Sequence, residues 1–166
     1  AMYAGIVIDT NNFMNKTGVR TFEAAAFLRR NGADVTRVRK MFRDSMPDYK
    51  AKAETIHRAE VFEDAFAIAV CPGENIESPT IIGAQAANEL LDIVGIKASI
   101  VLTEFQGKIY ISARSIDEVN VQLIMEKLGG GGHMSVAGAQ LTDCTMEEAV
   151  QKVKETIKKM LDEGEL

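Results

Sequence analysis

Tryptophan is absent from these 166 residues, and all aromatics together make up only 6%. A platform that grips long single strands by stacking bases needs more rings than that. Cysteine occurs twice, at Cys71 and Cys144, far apart and outside any CxxC or Cys/His spacing. That argues against a zinc site or a disulfide framework. It fits a reduced, cytoplasmic setting. No apolar run approaches the length of a membrane span. The first residues carry neither the basic flank nor the cleavage pattern of a signal peptide. Positive charge is in deficit, 19 Lys and Arg against 24 Asp and Glu, for a net charge of -5. A non-specific duplex binder needs the opposite field. A small anion can still be held where cations gather locally. The hydrophobic share of 46% is enough for a packed core.

What is present concentrates in Gly129-Gly130-Gly131-Gly132-His133, which runs on through Met134-Ser135-Val136-Ala137-Gly138. An apolar stretch of helical period, Val121 to Leu128, leads into it, and a strand over Ala139 to Thr142 is predicted after it. A helix that stops at a glycine loop leaves amides free, and such amides can form a nest for a phosphate. His133 stands at the edge of that nest with a donor. Glycine clusters are also common as plain connectors, and a lone histidine is more often structural. A second feature adds weight: Ser112-Ala113-Arg114 closes a predicted strand. The guanidinium is a permanently charged fork suited to phosphate, although by itself an arginine there reads as a surface ion pair.

The rest of the chain reads as α/β, α+β-like, with a mixed sheet flanked by helices. Ala4 to Ile8 reads as a buried strand ending at Asp9. A carboxylate there is a common place for chemistry, while Asp-Thr-Asn-Asn is equally good turn chemistry. So abrupt an opening predicts a piece of a longer protein. After a polar loop, Thr21 caps a helix over Phe22 to Arg30 that stops at Asn31-Gly32. Asp34 caps a helix over Val35 to Arg43. A mostly polar helix from Pro47 to about Ala59 suits a linker, with His57 on its surface. Two strands are predicted within Val61 to Val70. Ser78-Pro79 starts a helix running to about Val94, with Gly95 as its stop. Strands Ala98 to Glu104 and Lys108 to Ala113 flank a hairpin at Gln106-Gly107. Asp117 or Asn120 starts the helix before the glycines. Thr145 and Glu148 form a capping box for the last helix, whose apolar stripe includes Val153, Ile157 and Met160.

The combination of Ser112-Ala113-Arg114, Gly130-Gly131-Gly132-His133 and Ala137-Gly138 resembles the DHHA1 domain, the substrate-binding half of the DHH–DHHA1 phosphoesterases, over about residues 60 to 166. Val136 stands where many such domains carry alanine. At the other end, Gly5-Ile6-Val7-Ile8-Asp9-Thr10-Asn11-Asn12-Phe13 and Thr17-Gly18-Val19-Arg20-Thr21-Phe22 are similar to the last segment of a DHH catalytic domain, especially in the branch that hydrolyses cyclic di-AMP. The resemblance divides the chain into 1–45, the tail of that domain; 46–60, a linker helix; and 61–166, the DHHA1 domain. It implies a phosphodiesterase with two Mn²⁺ ions, producing the linear dinucleotide pApA. It places Asp9 as a metal ligand, and Ser112, Arg114, Gly130, Gly131, Gly132 and His133 as substrate contacts. The DHH motif's adjacent histidines are not here, since the two histidines lie far apart. The chain alone is therefore expected to be inactive, with an upstream DHH domain missing. Membrane-anchoring or sensor segments and a homodimer are compatible with this. The alternatives are a short oligoribonucleotide or nucleoside bisphosphate as substrate, or a non-catalytic nucleotide- or nucleic-acid-binding module.

Overall fold

A computed structural model describes every residue except Asn15, Asn75 and Asp117. The chain falls into two compact units, Ala1–Asp44 and Ser45–Leu166.

The first unit holds helices α1 (Met2–Asp9), α2 (Val19–Arg30) and α3 (Val35–Met41). The strand expected over Ala4 to Ile8 is instead helix α1. A strand pairs its backbone groups only against a neighbour, and the described residues of this unit contain no strand. A helix satisfies the same groups internally, and a short apolar run does not distinguish the two. The helix closes at Thr10, whose hydroxyl donates to Ile6 O at 2.6 Å and accepts from the Phe13 amide at 2.9 Å. Asn11, Asn12 and Phe13 then turn back with φ of 45°, 57° and 67°. This lays the Phe13 ring on Phe22, with centroids 5.6 Å apart. Helix α2 starts earlier than expected. Gly18 is its N-cap, and Thr21 sits inside the first turn, where its hydroxyl accepts from the Gly18 amide at 3.3 Å. Asp34 caps α3 as expected, accepting from the Arg37 amide at 3.0 Å.

The second unit begins with α4 (Met46–His57), capped by Ser45. There follow β1 (Glu60–Phe62), β2 (Phe66–Cys71), α5 (Pro79–Leu90), β3 (Ala98–Phe105), β4 (Lys108–Ser115), α6 (Val121–Lys127), β5 (Gly131–His133), β6 (Val136–Leu141) and α7 (Met146–Asp162). The strands form one mixed sheet in the order β1-β2-β3-β4-β6-β5. Only β2 and β3 run parallel, and α5 connects them. The β3–β4 hairpin turns at Gln106 and Gly107, with φ of 51° and 72°. Helix α5 ends at Leu90, short of the expected Val94. Asn120 starts α6, its side chain accepting from the Gln122 amide at 3.1 Å, while the alternative start, Asp117, lies outside the described residues. Thr145 and Glu148 exchange both bonds of the capping box, at 3.2 and 2.8 Å. No helix among the described residues is long and apolar enough to cross a membrane.

The sheet has two faces with different cover. On one, Ile100, Leu102, Ile111 and Ala113 pack against Val121 and Ile124 of α6 and Val153, Ile157 and Met160 of α7. On the other, Ala67, Ala69 and Val101 pack against Ile82, Ala86, Ala87 and Leu90 of α5. Helix α5 reaches across this face as far as β4, and neither α4 nor α5 covers β6 and β5 beyond it. On β4 and β6, Tyr110, Ser112 and Arg114 are half-buried and Val136 and Gln140 are exposed.

The glycine run also differs from expectation. It is only partly a loop: Gly131 to His133 form edge strand β5, and β6 begins at Val136 rather than Ala139. Two of the glycines are required by close backbone approach. A Cβ on Gly130 would overlap the Gly138 carbonyl oxygen and lie 2.6 Å from Ala139 Cα. One on Gly132 would lie 2.5 Å from Ala137 Cα. A Cβ on Gly131 meets nothing within 4 Å.

Two outcomes are expected. Gly130→Ala destabilises the chain by about 1–3 kcal/mol in urea unfolding, whereas Gly131→Ala stays within about 0.5 kcal/mol of the parent. Cys71 is buried, and burial pushes its thiol up, against the opposing hydrogen bonds from Thr55 and Thr103. Iodoacetamide at pH 8 should therefore label the partly exposed Cys144 in the native chain, with Cys71 labelled only in urea, as read by peptide mass spectrometry.

Candidate functional site

Strand β4 borders the open part of this face, with α5 on one side of it and β6 on the other. Arg114 lies opposite Ser99 on β3 and Val136 on β6, and Val136 lies opposite His133 on β5. Residues directly opposite on neighbouring strands project from the same face. The guanidinium and the imidazole therefore stand on one side of the sheet, two strand spacings or ~10 Å apart at Cα. Two residues along, Ser112, Gly138 and Gly131 form the next row on the same face. Two of its three members lack side chains, so bare main chain floors this part of the face. Of the residues that the sequence singled out, Ser112, Arg114, Gly130, Gly131, Gly132 and His133 thus gather at one end of one sheet.

Arg114 is held from the side by α5 and by its own strand. Its Nε donates to Asn88 Oδ1 at 3.0 Å, and its Nη1 donates to the Ala113 carbonyl at 2.9 Å. Burial lowers the pKa of the guanidinium, but from so high a start that it keeps its charge. Asn88 belongs to α5, and α5 is tied to the sheet beside it. The Ser99 hydroxyl donates to Ala87 O at 2.5 Å, and Ser99 is the cross-strand neighbour of Arg114. Gly83 brings the helix so close that a Cβ there would overlap the Thr103 hydroxyl. Sequence reasoning missed Asn88. The small residues around it, Ala84, Ala86 and Ala87, signalled close packing, but nothing local signalled an arginine partner.

The glycine nest needs a correction. Gly129 takes φ 80° after the C-cap Leu128. Its amide donates to Glu126 O at 3.0 Å, and the Gly130 amide donates to Met125 O at 2.8 Å. This is the usual glycine termination of a helix, and it commits both amides to α6. An anion at this loop would have to rely on groups further along. His133 is exposed, yet its surroundings are fixed. Across the β5–β6 turn, Met134 O accepts from the Val121 amide at 2.9 Å, and Ser135 O accepts from the Ser115 amide at 3.1 Å. The turn is fastened both to the start of α6 and to the end of β4.

Asp9 is exposed at the last residue of α1. Among the described residues, no group of three or more His, Cys, Asp and Glu side chains is placed to hold a metal ion. A single exposed carboxylate does not make a two-metal centre. His57 is exposed on α4.

Residues 64–163 match the DHHA1 domain family. The chain is 45% identical over 165 residues to the cyclic-di-AMP phosphodiesterase GdpP of Geobacillus thermodenitrificans, covering 99% of this chain and 25% of that protein. It is 44% identical over 154 residues to the cyclic-di-AMP phosphodiesterase PdeA of Listeria monocytogenes, covering 92% of this chain and 23% of that one. The chain thus spans about a quarter of the length of these relatives. The crystal structure of an exopolyphosphatase-related protein from Bacteroides fragilis superposes with a TM-score of 0.81 at 23% identity, over 93% of this chain and 48% of that one. The last likeness is one of fold. With residues 64–163 matched, the chain belongs to the DHHA1 domain family.

Proposed function

We propose that this chain is the substrate-binding part of a metal-dependent phosphodiesterase that hydrolyses cyclic di-AMP to linear pApA. One observation carries the proposal. Arg114 and His133 occupy a single row across β4, β6 and β5, on the face where α5 stops and β6 and β5 are left open. The similarity to proteins named cyclic-di-AMP phosphodiesterases supports the choice of substrate.

In this reading Arg114 and His133 bind and orient the phosphodiester. Asn88 Oδ1 accepts the hydrogen bond from Nε, and the Ala113 carbonyl accepts one from Nη1. The remaining guanidinium protons are left on the outer edge of the fork, where a phosphate oxygen can accept them. A held donor costs no reorganisation when negative charge grows on phosphorus oxygens, and that is where such groups contribute to rate. The imidazole offers a second donor across the row. Ser112 adds a hydroxyl from the neighbouring row. The metal ions that the resemblance implies, manganese, would provide a hydroxide nucleophile when bound in the complete enzyme. The described residues do not form that centre, so the chemistry of bond cleavage falls to residues of an upstream DHH domain.

Three outcomes test the proposal. Calorimetry with pApA should show Arg114→Ala weakening binding by roughly tenfold to a hundredfold, with a smaller loss for His133→Ala. Asn88→Leu, which keeps the volume and removes the acceptor, should weaken binding by about three- to tenfold with little change in melting temperature. If neither Arg114→Ala nor His133→Ala alters binding in a folded chain, the site is elsewhere. In a manganese-dependent assay the 166-residue chain should turn over no cyclic di-AMP above buffer; brisk turnover would contradict the division of labour proposed here. In the complete enzyme, a linear trinucleotide outcompeting cyclic di-AMP would make oligoribonucleotides the preferred substrate.

A further inference from the structure

The face that carries Arg114 does not end at Ser112. It continues into an open groove of about 430 Å³ whose lining includes Thr80, Tyr110, Ser112, Gly130, Gly138 and Gln140. Tyr110 and Gln140 lie directly opposite each other on β4 and β6, so both project from the face that bears Arg114. The three rows run in order along the strands: the charged row at Arg114, the bare row at Ser112 and Gly138, and the polar row at Tyr110. From Arg114 to Tyr110 is ~13 Å of extended strand, comparable with the reach of a nucleotide from its phosphate to the far edge of its base.

The middle row is flat by construction. A Cβ on Gly138 would lie 2.9 Å from Ile111 O. No side chain fits at Gly138, Gly131 carries none, and a planar ring can lie against this main chain. At the far wall the Tyr110 ring is braced by Phe105, with centroids 6.4 Å apart. One braced ring suits one base, in keeping with a chain too poor in aromatics to stack a strand. Gln140 is exposed and carries an amide with a donor and an acceptor side by side. Adenine presents the complementary pair, an amino donor beside the ring acceptor N7. Guanine presents two acceptors on the same edge.

We propose that this groove is an adenine subsite, in which Gln140 reads the base edge, Tyr110 walls the ring and Thr80 supplies a hydroxyl at the rim. It rests on the reading that Arg114 and His133 hold a nucleotide phosphate, and it adds the means by which the base is chosen.

The test compares three probes by calorimetry on the 166-residue chain: pApA, pGpG and ribose 5-phosphate. The parent should favour pApA over pGpG by about tenfold or more. Gln140→Ala should bring that ratio close to one by weakening pApA, and should leave ribose 5-phosphate unchanged. The side-chain amide resonances of Gln140 should move on addition of pApA and stay still on addition of ribose 5-phosphate. Equal affinity of the parent for pApA and pGpG overturns the subsite, as does an unchanged ratio in Gln140→Ala or a loss shared equally by both dinucleotides. If Arg114→Ala still weakens all three probes in those cases, the phosphate reading stands. A parent chain that binds none of the three overturns both.

Discussion

The close approach of bare main chain at β5, β6 and β4 is the constraint from which the site follows. Gly130 and Gly132 lie too near β6 to carry a side chain, and Gly138 lies too near the Ile111 carbonyl. This contact sets which residues face each other across three strands. A slip of one residue in a strand moves every side chain to the opposite face. A slip of β6 or β5 would send Val136 or His133 away from Arg114 and bury groups that now meet solvent. Register here is therefore a functional quantity, and glycine packing holds it.

Helix α5 links this geometry to the rest of the core. One stripe of it, Ile82, Ala86, Ala87 and Leu90, is fully committed to packing. The adjoining residue, Asn88, reaches the guanidinium. The same helix that fills the core thus sets the orientation of the cation, through the Ser99 bond to Ala87 and the tight seat of Gly83 on Thr103. Rigid elements hold a functional side chain more closely than loops do. The arginine is carried by a strand and braced by the helix that packs on the same face.

Legibility in the sequence follows the range of the interaction that decides each feature. The cap at Asp34, the Thr145–Glu148 box, the Gln106-Gly107 turn and the stripe of α7 depend on neighbours within one turn, and the sequence shows them. That Ser112, Arg114 and His133 belong together was implied by the resemblance to the DHHA1 domain, and the strand register places them at one end of one sheet. Ala4 to Ile8 was not readable as a helix, since its apolar residues suit either state and the presence of a pairing strand decides. The short strand Gly131 to His133 was hidden because glycine has no strand preference of its own; only Val136 to Gly138, brought alongside, make it one. Asn88, and the pairing of Tyr110 with Gln140, arise from contacts across 26 and 30 positions, which no local pattern records.

The helix-ending bonds of Gly129 and Gly130 bear on how such a motif is used to infer activity. These glycines answer first to architecture: one stops α6 and the other lets the chain pass beneath its neighbour. A descendant that abandoned nucleotide hydrolysis for pure scaffolding would still be obliged to retain them. Its loss of trade would surface instead at the arginine, its asparagine brace and the imidazole, so a glycine signature on its own certifies a shape and not a job.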